Sequence, residues 1–501
     1  MNAVGTALDR LTGRVPMYRL VSLSLLATLV LAVVLSAAGQ LFYSPGALLA
    51  SAAVAVVSTW VVSRLLGLAF DVPVHGESSV ITGLIVFFLM LPTLDPLGLA
   101  IIGLVGLVAA ASKFLIAWRG RHLVNPAAFG AFAVALTGLG AAGWWVATAG
   151  LLPLVALAAV LILWRTRTHV VGLVFMGLAT LLVTVGLIGY GEEPLVALQT
   201  ALFSYPIVFL GAFMLTEPLT LPARRWQQLV VAAVIAVVFA LPLFVQLSFG
   251  NFYISQEFAV LVGNLVGVAL AFPVAARLRY VGSRRIGPDA VEYRFTPART
   301  LRPHRPGQYA ELHLAHSGTD RRGPRRHLSV VSPRGSDELA FAVRIPQDRS
   351  SSFKRALGEL EPGAPARATW VGGDFVLPDD RALPVLFVAG GIGITPFVGD
   401  LEAGARNALL VYRAASEADL LYRDEIEASG LPVIAVTPEE PGRMAERWRW
   451  APDLESALAL VPDAAQRSAY VSGTPSFVTR SRSALRRAGV RKIRTDRFAG
   501  Y

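Results

Sequence analysis

The chain has 501 residues, 54% of them hydrophobic and 16% charged, an apolar surplus that excludes a purely soluble protein and calls for two or three domains, at least one in lipid. It contains no cysteine, which excludes disulfides, thiolate nucleophiles, Cys-ligated zinc and ordinary iron–sulfur clusters. Much of the formal charge of +11 flanks apolar segments, so it reads as a topology signal rather than as a nucleic-acid surface.

Arg10, Arg14 and Arg19 precede the first apolar run, and no small-residue cleavage site is apparent, so a retained helix is expected there. Apolar stretches then fall at about 17–38, 46–69, 78–92, 96–116, 124–139, 144–164, 168–188, 195–215, 226–247 and 256–276, ten candidate membrane segments. The Lys and Arg residues of this half, from Arg10 through Lys113 and Arg165 to Arg279, all fall in alternate connections. Basic connections stay in the cytoplasm, which places both termini inside a cytoplasmic membrane. The opposite connections, "LPTLDP", "GYGEE" and "SFGNFYISQE", carry acids and no bases.

The third segment ("GESSVITGLIVFFLMLPTLDP") and the eighth ("FSYPIVFLGAFMLTEPLTLP") are short and interrupted, and each is third in a group of five. Because five is odd, the second group runs inverted. Asn125 and Asn264 occupy the fifth segment of each group. Paired broken helices point to a central site, since their free ends offer backbone donors and acceptors inside the membrane. Thr82, Asn125, Thr216, Glu217 and Asn264 are the candidate lining residues. Asp95 and Glu217 lie at segment ends, where plain solvation competes with a buried role. The histidines of this half, His75, His122 and His169, all fall in cytoplasmic connections, so haem is not expected, nor any metal site.

"SSVITGLIVFFLMLP", "NPAAFG" and "GAFMLTEPLT" resemble the membrane subunits shared by the sodium-pumping NADH:quinone oxidoreductase and the Rnf electron-transport complex (the NqrB/RnfD type), over about residues 40–276. That resemblance implies ten helices in two inverted halves, bound flavin and electron transfer across the membrane. The tetrapeptide at which those subunits esterify FMN to threonine is absent, the stretch after the fifth segment being "TGLGAAGWW". A membrane flavin, FMN or riboflavin, is therefore expected to be noncovalent.

After "RLRYVGSRRIG" the composition changes. "GPDAVEYRFTP", "GQYAELHLA", "RRHLSVVSP", "ELAFAVRIP" and "ARATWVGG" read as the strands of an antiparallel β-barrel. From residue 383 strands alternate with helices, "VLFVA", "NALLVYRA", "PVIAVTP" and "RSAYVSG", as in a small doubly wound α/β domain. The expected domains are a transmembrane region over 1–277, a linker over 278–285, a barrel over 286–380 and an α/β domain over 381–501. "GGIGITP" follows the first parallel strand. Gly390, Gly391 and Gly393 permit close backbone approach of a diphosphate, Thr395 is expected to cap the helix after Ile394, and Pro396 suits its first turn.

The succession of barrel, "RHLS", "GGDF", "GGIGITP", "YVSGTPSFV" and "DRFAGY" resembles the ferredoxin–NADP reductase family over about residues 283–501. The resemblance implies FAD contacts at Arg326, His327, Leu328 and Ser329 of "RHLS", at Gln308 and Tyr309 of "PGQY", at Val343 and Arg344 of "FAVR", and at Ser351 and Ser352. Leu328 stands where the family carries an aromatic. It implies NAD(P)H contacts at the glycine turn, at Arg413, and at Ser472, Gly473, Thr474 and Pro475, with Ser472 in place of a cysteine. Phe498 and Tyr501 match the aromatic tail that covers the flavin, and Ser329, Ser472 and Tyr501 are the expected catalytic positions. After "VIAVT" come Pro438, Glu439 and Glu440. A free ribose diol tolerates acids and a 2′-phosphate does not, so NADH is favoured, while Arg443 keeps NADPH open.

The expected activity is hydride transfer from cytoplasmic NAD(P)H to FAD, with electrons passed through a membrane flavin to an extracytoplasmic acceptor such as an FMN-bearing protein. Two rival readings are a membrane-anchored NAD(P)H:quinone reductase acting at the inner face and a redox-gated transporter or channel.

Overall fold

The structure, a computed structural model, describes residues 17–70, 74, 76–118, 121–217, 220–222, 224–270, 276–299, 304–320, 323–345, 350–373, 375–401 and 406–498. The described residues divide into two units, a first that runs to residue 270 and a second that begins at residue 276.

In the first unit, helices form at all ten apolar stretches: α1 (Met17–Ala37), α2 (Pro45–Ala69), α3 (Gly76–Leu89), α4 (Pro96–Leu115), α5 (Pro126–Leu136), α6 (Leu152–Thr166), α7 (His169–Gly189), the bent pair α8 (Pro194–Phe203) and α9 (Ile207–Met214), α10 (Arg225–Ala240) and α11 (Gln256–Leu270). Among the described residues five helices, α1, α2, α4, α7 and α10, are long and apolar enough to cross a membrane, or six if the pair α8–α9, bent by 47°, is one span. Helices α3, α5, α6 and α11 have 14, 11, 15 and 15 residues, roughly 16–23 Å of helix against a ~30 Å hydrocarbon core. The ten expected segments are thus ten helical stretches of unequal length, because proline and glycine punctuate the apolar runs.

Helix α2 packs on α3 and α4, and α4 on α5; in the second group α7 packs on α8 and α10, and α10 on α11. Close approach depends on small residues. A Cβ at Gly130 would stand 2.6 Å from the Val105 carbonyl oxygen, so α4 and α5 meet nearly backbone to backbone.

The end of the short helix α3 is closed by the following connection. The N–H groups of Gly143 and Trp144 both donate to the Leu89 carbonyl, at 2.8 and 2.9 Å, and the Trp145 indole donates to the Phe87 carbonyl at 2.9 Å. Trp144 adopts φ 46°, left-handed for a bulky side chain. Its indole donates to Glu257, a side chain 1% exposed, so one acid of the expected outer connections is buried rather than solvated. Asp95 instead caps α4, accepting from Gly98 N–H at 2.8 Å from an exposed position.

In the second unit, β1 (Ala276–Arg285), β2 (Ala290–Pro297), β3 (Tyr309–His313), β4 (Arg325–Ser329), β5 (Leu339–Arg344) and β6 (Pro365–Gly372) form an antiparallel sheet of order β4-β3-β6-β1-β2-β5. Its edges approach at a bridge between Val330 and Phe341. The expected linker over 278–285 is a correction: it is most of β1, which pairs with both β2 and β6. Ala276, Leu278 and Tyr280 point inward and Arg277 and Arg279 outward, a period of two that the neighbouring basic residues disguise as a membrane flank.

The parallel sheet has order β10-β9-β8-β7-β11-β12, from β7 (Val385–Gly390), β8 (Ala408–Arg413), β9 (Val433–Val436), β10 (Trp448–Ala451), β11 (Ser468–Gly473) and β12 (Ile493–Arg497). Ala290, Ala340 and Ala342 of the antiparallel sheet share a buried cluster with Val385, Phe387 and Leu410 of the parallel one. A polar link accompanies it. Tyr422, left-handed at φ 59°, donates its hydroxyl to Glu292 at 2.9 Å, and Arg284 grips Glu292 bidentately while reaching Glu425. Pairing with Glu292 holds the Arg284 guanidinium above its ordinary pKa.

Two predictions follow from packing and burial. Trp145→Phe strands the Phe87 carbonyl in an apolar core, and chemical unfolding in detergent should show a loss of about 1–3 kcal/mol; unchanged stability would refute the closure. Burial, together with Arg325 and Arg367, lowers His313 to about 4. Between that value and the ordinary ~6.5 the unfolded chain binds a proton that the folded chain does not. Stability should therefore fall as pH drops through this window, and thermal unfolding of His313→Gln should show a flatter pH profile.

Candidate functional site

Two groups of the expected residues converge in the second unit, one on each sheet. On the antiparallel sheet, Tyr309 and Ser329 are register partners of β3 and β4. Arg326, on β4, is 8% exposed, donates to the carbonyls of Gly323 and Arg325, and lies 5.0 Å over the Phe353 ring. Ser351 caps α12 (Ser352–Gly358), accepting from Lys354 N–H at 3.4 Å.

Residues that the sequence did not single out complete this cluster. Ser352 donates its N–H to Asp320 and accepts the Asp320 N–H on its hydroxyl, at 2.8 and 2.9 Å, while His316 Nε2 lies 3.0 Å from the same hydroxyl. Asp320 also stands 3.8 Å from Arg326. Cation, hydroxyls and amides gathered in one place suit a phosphate, and Arg326 is the group able to fork onto one.

The other members of the expected FAD set are placed differently. His327 is exposed and Leu328 half-buried against the sheet core. Gln308 is buried, its amide oxygen accepting from Arg305 N–H at 2.8 Å. The Val343 side chain packs in the core. Arg344 is engaged by Asp419 at 2.9 Å and Asp289 at 3.4 Å, and its guanidinium lies beside Gly391. A sequence reading cannot supply those two acids, which come from other segments.

On the parallel sheet, Gly390 and Arg413 are register partners, as are Ala389 and Ser472, and Ser472 and Asp496. The glycine turn, Arg413, Ser472 and Gly473 therefore share the carboxyl edge, where doubly wound sheets take ligands. Gly391 is left-handed at φ 54°, and a Cβ at Gly393 would fall 2.3 Å from the Ser472 carbonyl oxygen, so the turn can lie against β11 only without side chains. Tyr412, fully buried on β8, donates to the Gly391 carbonyl at 3.1 Å and accepts from Leu421 N–H at 3.0 Å. It fixes the turn, and its only sequence signal is a tyrosine in an aliphatic strand.

Thr395 corrects an expectation. It lies inside α13 (Thr395–Leu401) and donates its hydroxyl to the Ile392 carbonyl at 3.0 Å. The 3₁₀ turn Gly391–Ile394 runs straight into the helix and leaves no cap position, so Ile394 and Pro396 are buried parts of one continuous turn. Thr474 does cap α14 (Pro475–Arg487), with Pro475 in its first turn. Ser472 is fully buried, and its hydroxyl has no hydrogen-bond partner among the described residues. Asp496, across the register, is raised to about 6 by burial. Phe498 N–H donates to the Gly473 carbonyl at 2.9 Å, joining the start of the tail to this edge. Tyr501 lies outside the described residues.

In the first unit, three expected residues bond directly. Asn125 caps α5 with its side-chain oxygen, donates its N–H to the Asn264 side chain at 2.7 Å, and donates its amide to Glu217 at 2.9 Å. Thr82 and Thr216 are buried and donate to the Ser78 and Ala212 carbonyls. Lys113, read from sequence as a topology marker, also reaches the Ser78 carbonyl at 3.0 Å and its hydroxyl at 3.2 Å. A lone lysine near the end of an apolar run gave the one available signal. Among the described residues no cluster of His, Asp or Glu could hold a metal ion.

No protein-family model matches the chain. It is 31% identical over 211 residues to the reductase component of propane 2-monooxygenase from Mycolicibacterium goodii, covering 38% of this chain and 57% of that protein. It is 36% identical over 129 residues to ferredoxin–NADP reductase B of Sorangium cellulosum, covering 24% and 50%. The chain thus spans about half the length of these curated relatives. Among solved structures, the Amycolatopsis cytochrome P450 reductase GcoB aligns with 45% of this chain and 70% of its own at 24% identity and a TM-score of 0.39. A Neisseria gonorrhoeae ferredoxin NADP+ reductase with bound FAD and NADP aligns with 44% and 98% at 16% identity and a TM-score of 0.37. The chain accordingly contains a module similar to ferredoxin–NADP reductase-like FAD- and NAD(P)H-dependent oxidoreductases.

Arg326→Ala removes the cation that lies over Phe353 in the phosphate-like cluster. FAD dissociation, followed by flavin fluorescence, should quicken by about 10–100-fold, and an unchanged rate would exclude Arg326 as a phosphate ligand.

Proposed function

We propose that the protein is a multi-pass membrane flavoprotein oxidoreductase of the cytoplasmic membrane, oxidising cytoplasmic NAD(P)H and delivering electrons to an extracytoplasmic acceptor. The observation that carries the reading is the pairing of two sites in one unit. One is the Arg326–Ser352–Phe353 cluster with the Tyr309–Ser329 partners; the other is the glycine turn with Ser472 on the parallel edge.

The residues fit FAD. Arg326 and the Ser351–Ser352 hydroxyls suit its diphosphate, Tyr309 and Ser329 its ring, and the orphaned Ser472 hydroxyl suits a ring or carboxamide group entering the edge. When bound, FAD supplies a hydride acceptor that can release electrons singly. Gly391 and Gly393 admit the nicotinamide nucleotide's diphosphate, Arg413 adds positive charge at the same edge, and Gly473, Thr474 and Pro475 bound the entry. Glu439 and Glu440 are exposed beyond β9 and favour the free diol of NADH.

For the first unit we infer two inverted groups of five segments with both termini and the reductase module in the cytoplasm. The matching order of packing supports two groups of like build, and the basic residues gathered in alternate connections support the orientation. The Asn125–Asn264–Glu217 network, with Lys113 and Ser78, suits the polar edge of a noncovalent FMN or riboflavin, because polar side chains gather there within an apolar core. An FMN-bearing protein suits the role of outer acceptor.

The test uses proteoliposomes with the reductase module facing the lumen, NADH enclosed, and an impermeant dye outside. Dye reduction that depends on enclosed NADH, with two flavins per chain, is the expected outcome. One FAD per chain, with reduction confined to lipid-soluble quinone, would replace this reading by the inner-face quinone reductase. Solute flux without NADH would replace it by a transporter.

A further inference from the structure

The segment beyond β9 runs Thr437, Pro438, Glu439, Glu440, Pro441, Gly442 and Arg443, and Arg443 is its single cation. It leaves the carboxyl edge of the parallel sheet, where an adenosine ribose is read. Thr437 donates its hydroxyl to the Glu439 carbonyl at 2.6 Å, and Trp450 donates to the Thr437 carbonyl at 3.2 Å. The two glutamates after Pro438 are exposed.

Arg443 is held from the other side. Its guanidinium meets Glu427 at 3.1 Å, and its N–H and that of Gly442 both donate to Glu417, at 3.3 and 2.8 Å. Its carbonyl accepts from the Arg423 guanidinium. Arg423 anchors the arrangement, donating to Glu417 at 2.6 Å and Glu427 at 2.8 Å while lying 5.2 Å over the Trp448 ring. The Glu427 side chain is 17% exposed and that of Arg443 is 73% exposed, so Glu427 is the fixed member of the pair. Three hydrogen bonds, from Arg423, Gly442 and Arg443, hold Glu417 below the usual carboxylate range, the Arg423 contact foremost.

We propose that Glu427, positioned by Arg423, is a nucleotide-specificity residue that retains Arg443 and withholds it from the ribose. The loop then presents Glu439 and Glu440, which accept the diol of NADH and repel the 2′-phosphate of NADPH. This rests on the reductase reading. An exposed ion pair alone is weak; here the loop backbone bonded to Glu417 and the Arg423 bridge restrict where Arg443 can go. Release of Arg443 would supply a charge-assisted donor for a phosphate.

The experiment uses the full chain in detergent, with kcat/KM for NADH and NADPH measured against ferricyanide, and affinities for 2′,5′-ADP and 5′-AMP measured by calorimetry. In the otherwise unchanged protein, Arg443→Ala should leave NADPH use and 2′,5′-ADP affinity as they were. Glu427→Gln should raise both by about 10-fold, without altering 5′-AMP affinity, and the double variant Glu427→Gln/Arg443→Ala should return both to the starting values. FAD content reports folding, and Glu427→Asp, which keeps the charge, should stay near the starting protein. The proposal is overturned if Glu427→Gln does not change 2′,5′-ADP affinity, or if Arg443→Ala alone weakens it, since Arg443 would then already read the phosphate. Failure to oxidise either nucleotide would instead sink the reductase reading, an outcome separable because the calorimetric arms do not need turnover.

Discussion

A backbone N–H or carbonyl shielded from water must find a partner within the chain, and this requirement organises both units. In the apolar unit, every interruption of a helix exposes such groups. The end of α3 is met by Gly143, Trp144 and Trp145, and the start of α5 by Asn125 and Asn264. Closing one interruption brings polar side chains from separate helices together. Asn125 caps its own helix while holding Asn264 and Glu217, so the apolar unit acquires a polar centre through the same contacts that complete its helices.

The second unit meets the requirement by pairing strands, and its functional features lie where the pairing stops. At the carboxyl edge of the parallel sheet, β7 gives way to a glycine turn, which Tyr412 holds against Leu421. Along the antiparallel sheet, β4 brings Arg326 to Phe353, and the Ser352–Asp320 exchange closes the loop before it. The Tyr422–Glu292–Arg284 link and the shared apolar cluster couple the two sheets. The strained φ of Tyr422, which costs of order 1 kcal/mol, is held by its hydroxyl bond to Glu292. The clamp of Arg423, Glu417 and Glu427 belongs to the same region of chain, so one short stretch after β8 joins the sheets and sets the loop beyond β9.

Legibility in the sequence varied with the range of the determining interaction. The ten apolar stretches, the four parallel strands named from their apolar runs, and the glycine turn depend on neighbours a few residues apart, and they stand where period and punctuation placed them. Asn125 and Asn264 stand out by matched position in the two groups, and Glu217 as an acid at the end of an apolar segment. Lys113 resembles a flanking charge in sequence, because only its contact with Ser78 distinguishes it. Strand β1 resembles a linker in sequence because arginines alternate with its core residues, and Thr395 resembles a cap because the 3₁₀ turn before it leaves no sequence mark.

The sequence by itself determined which segments are apolar, which turns need glycine, where the chain changes from helical to stranded character, and which families it resembles, because these follow from local composition and spacing. Only the tertiary structure decided which charged and polar groups meet. Arg344 goes to Asp419 and Asp289, Arg443 to Glu427, Lys113 to Ser78, and Trp144 to Glu257. Pairing at long sequence separation depends on how elements pack, and a charge that one segment displays to solvent another can neutralise, which no single stretch of sequence records.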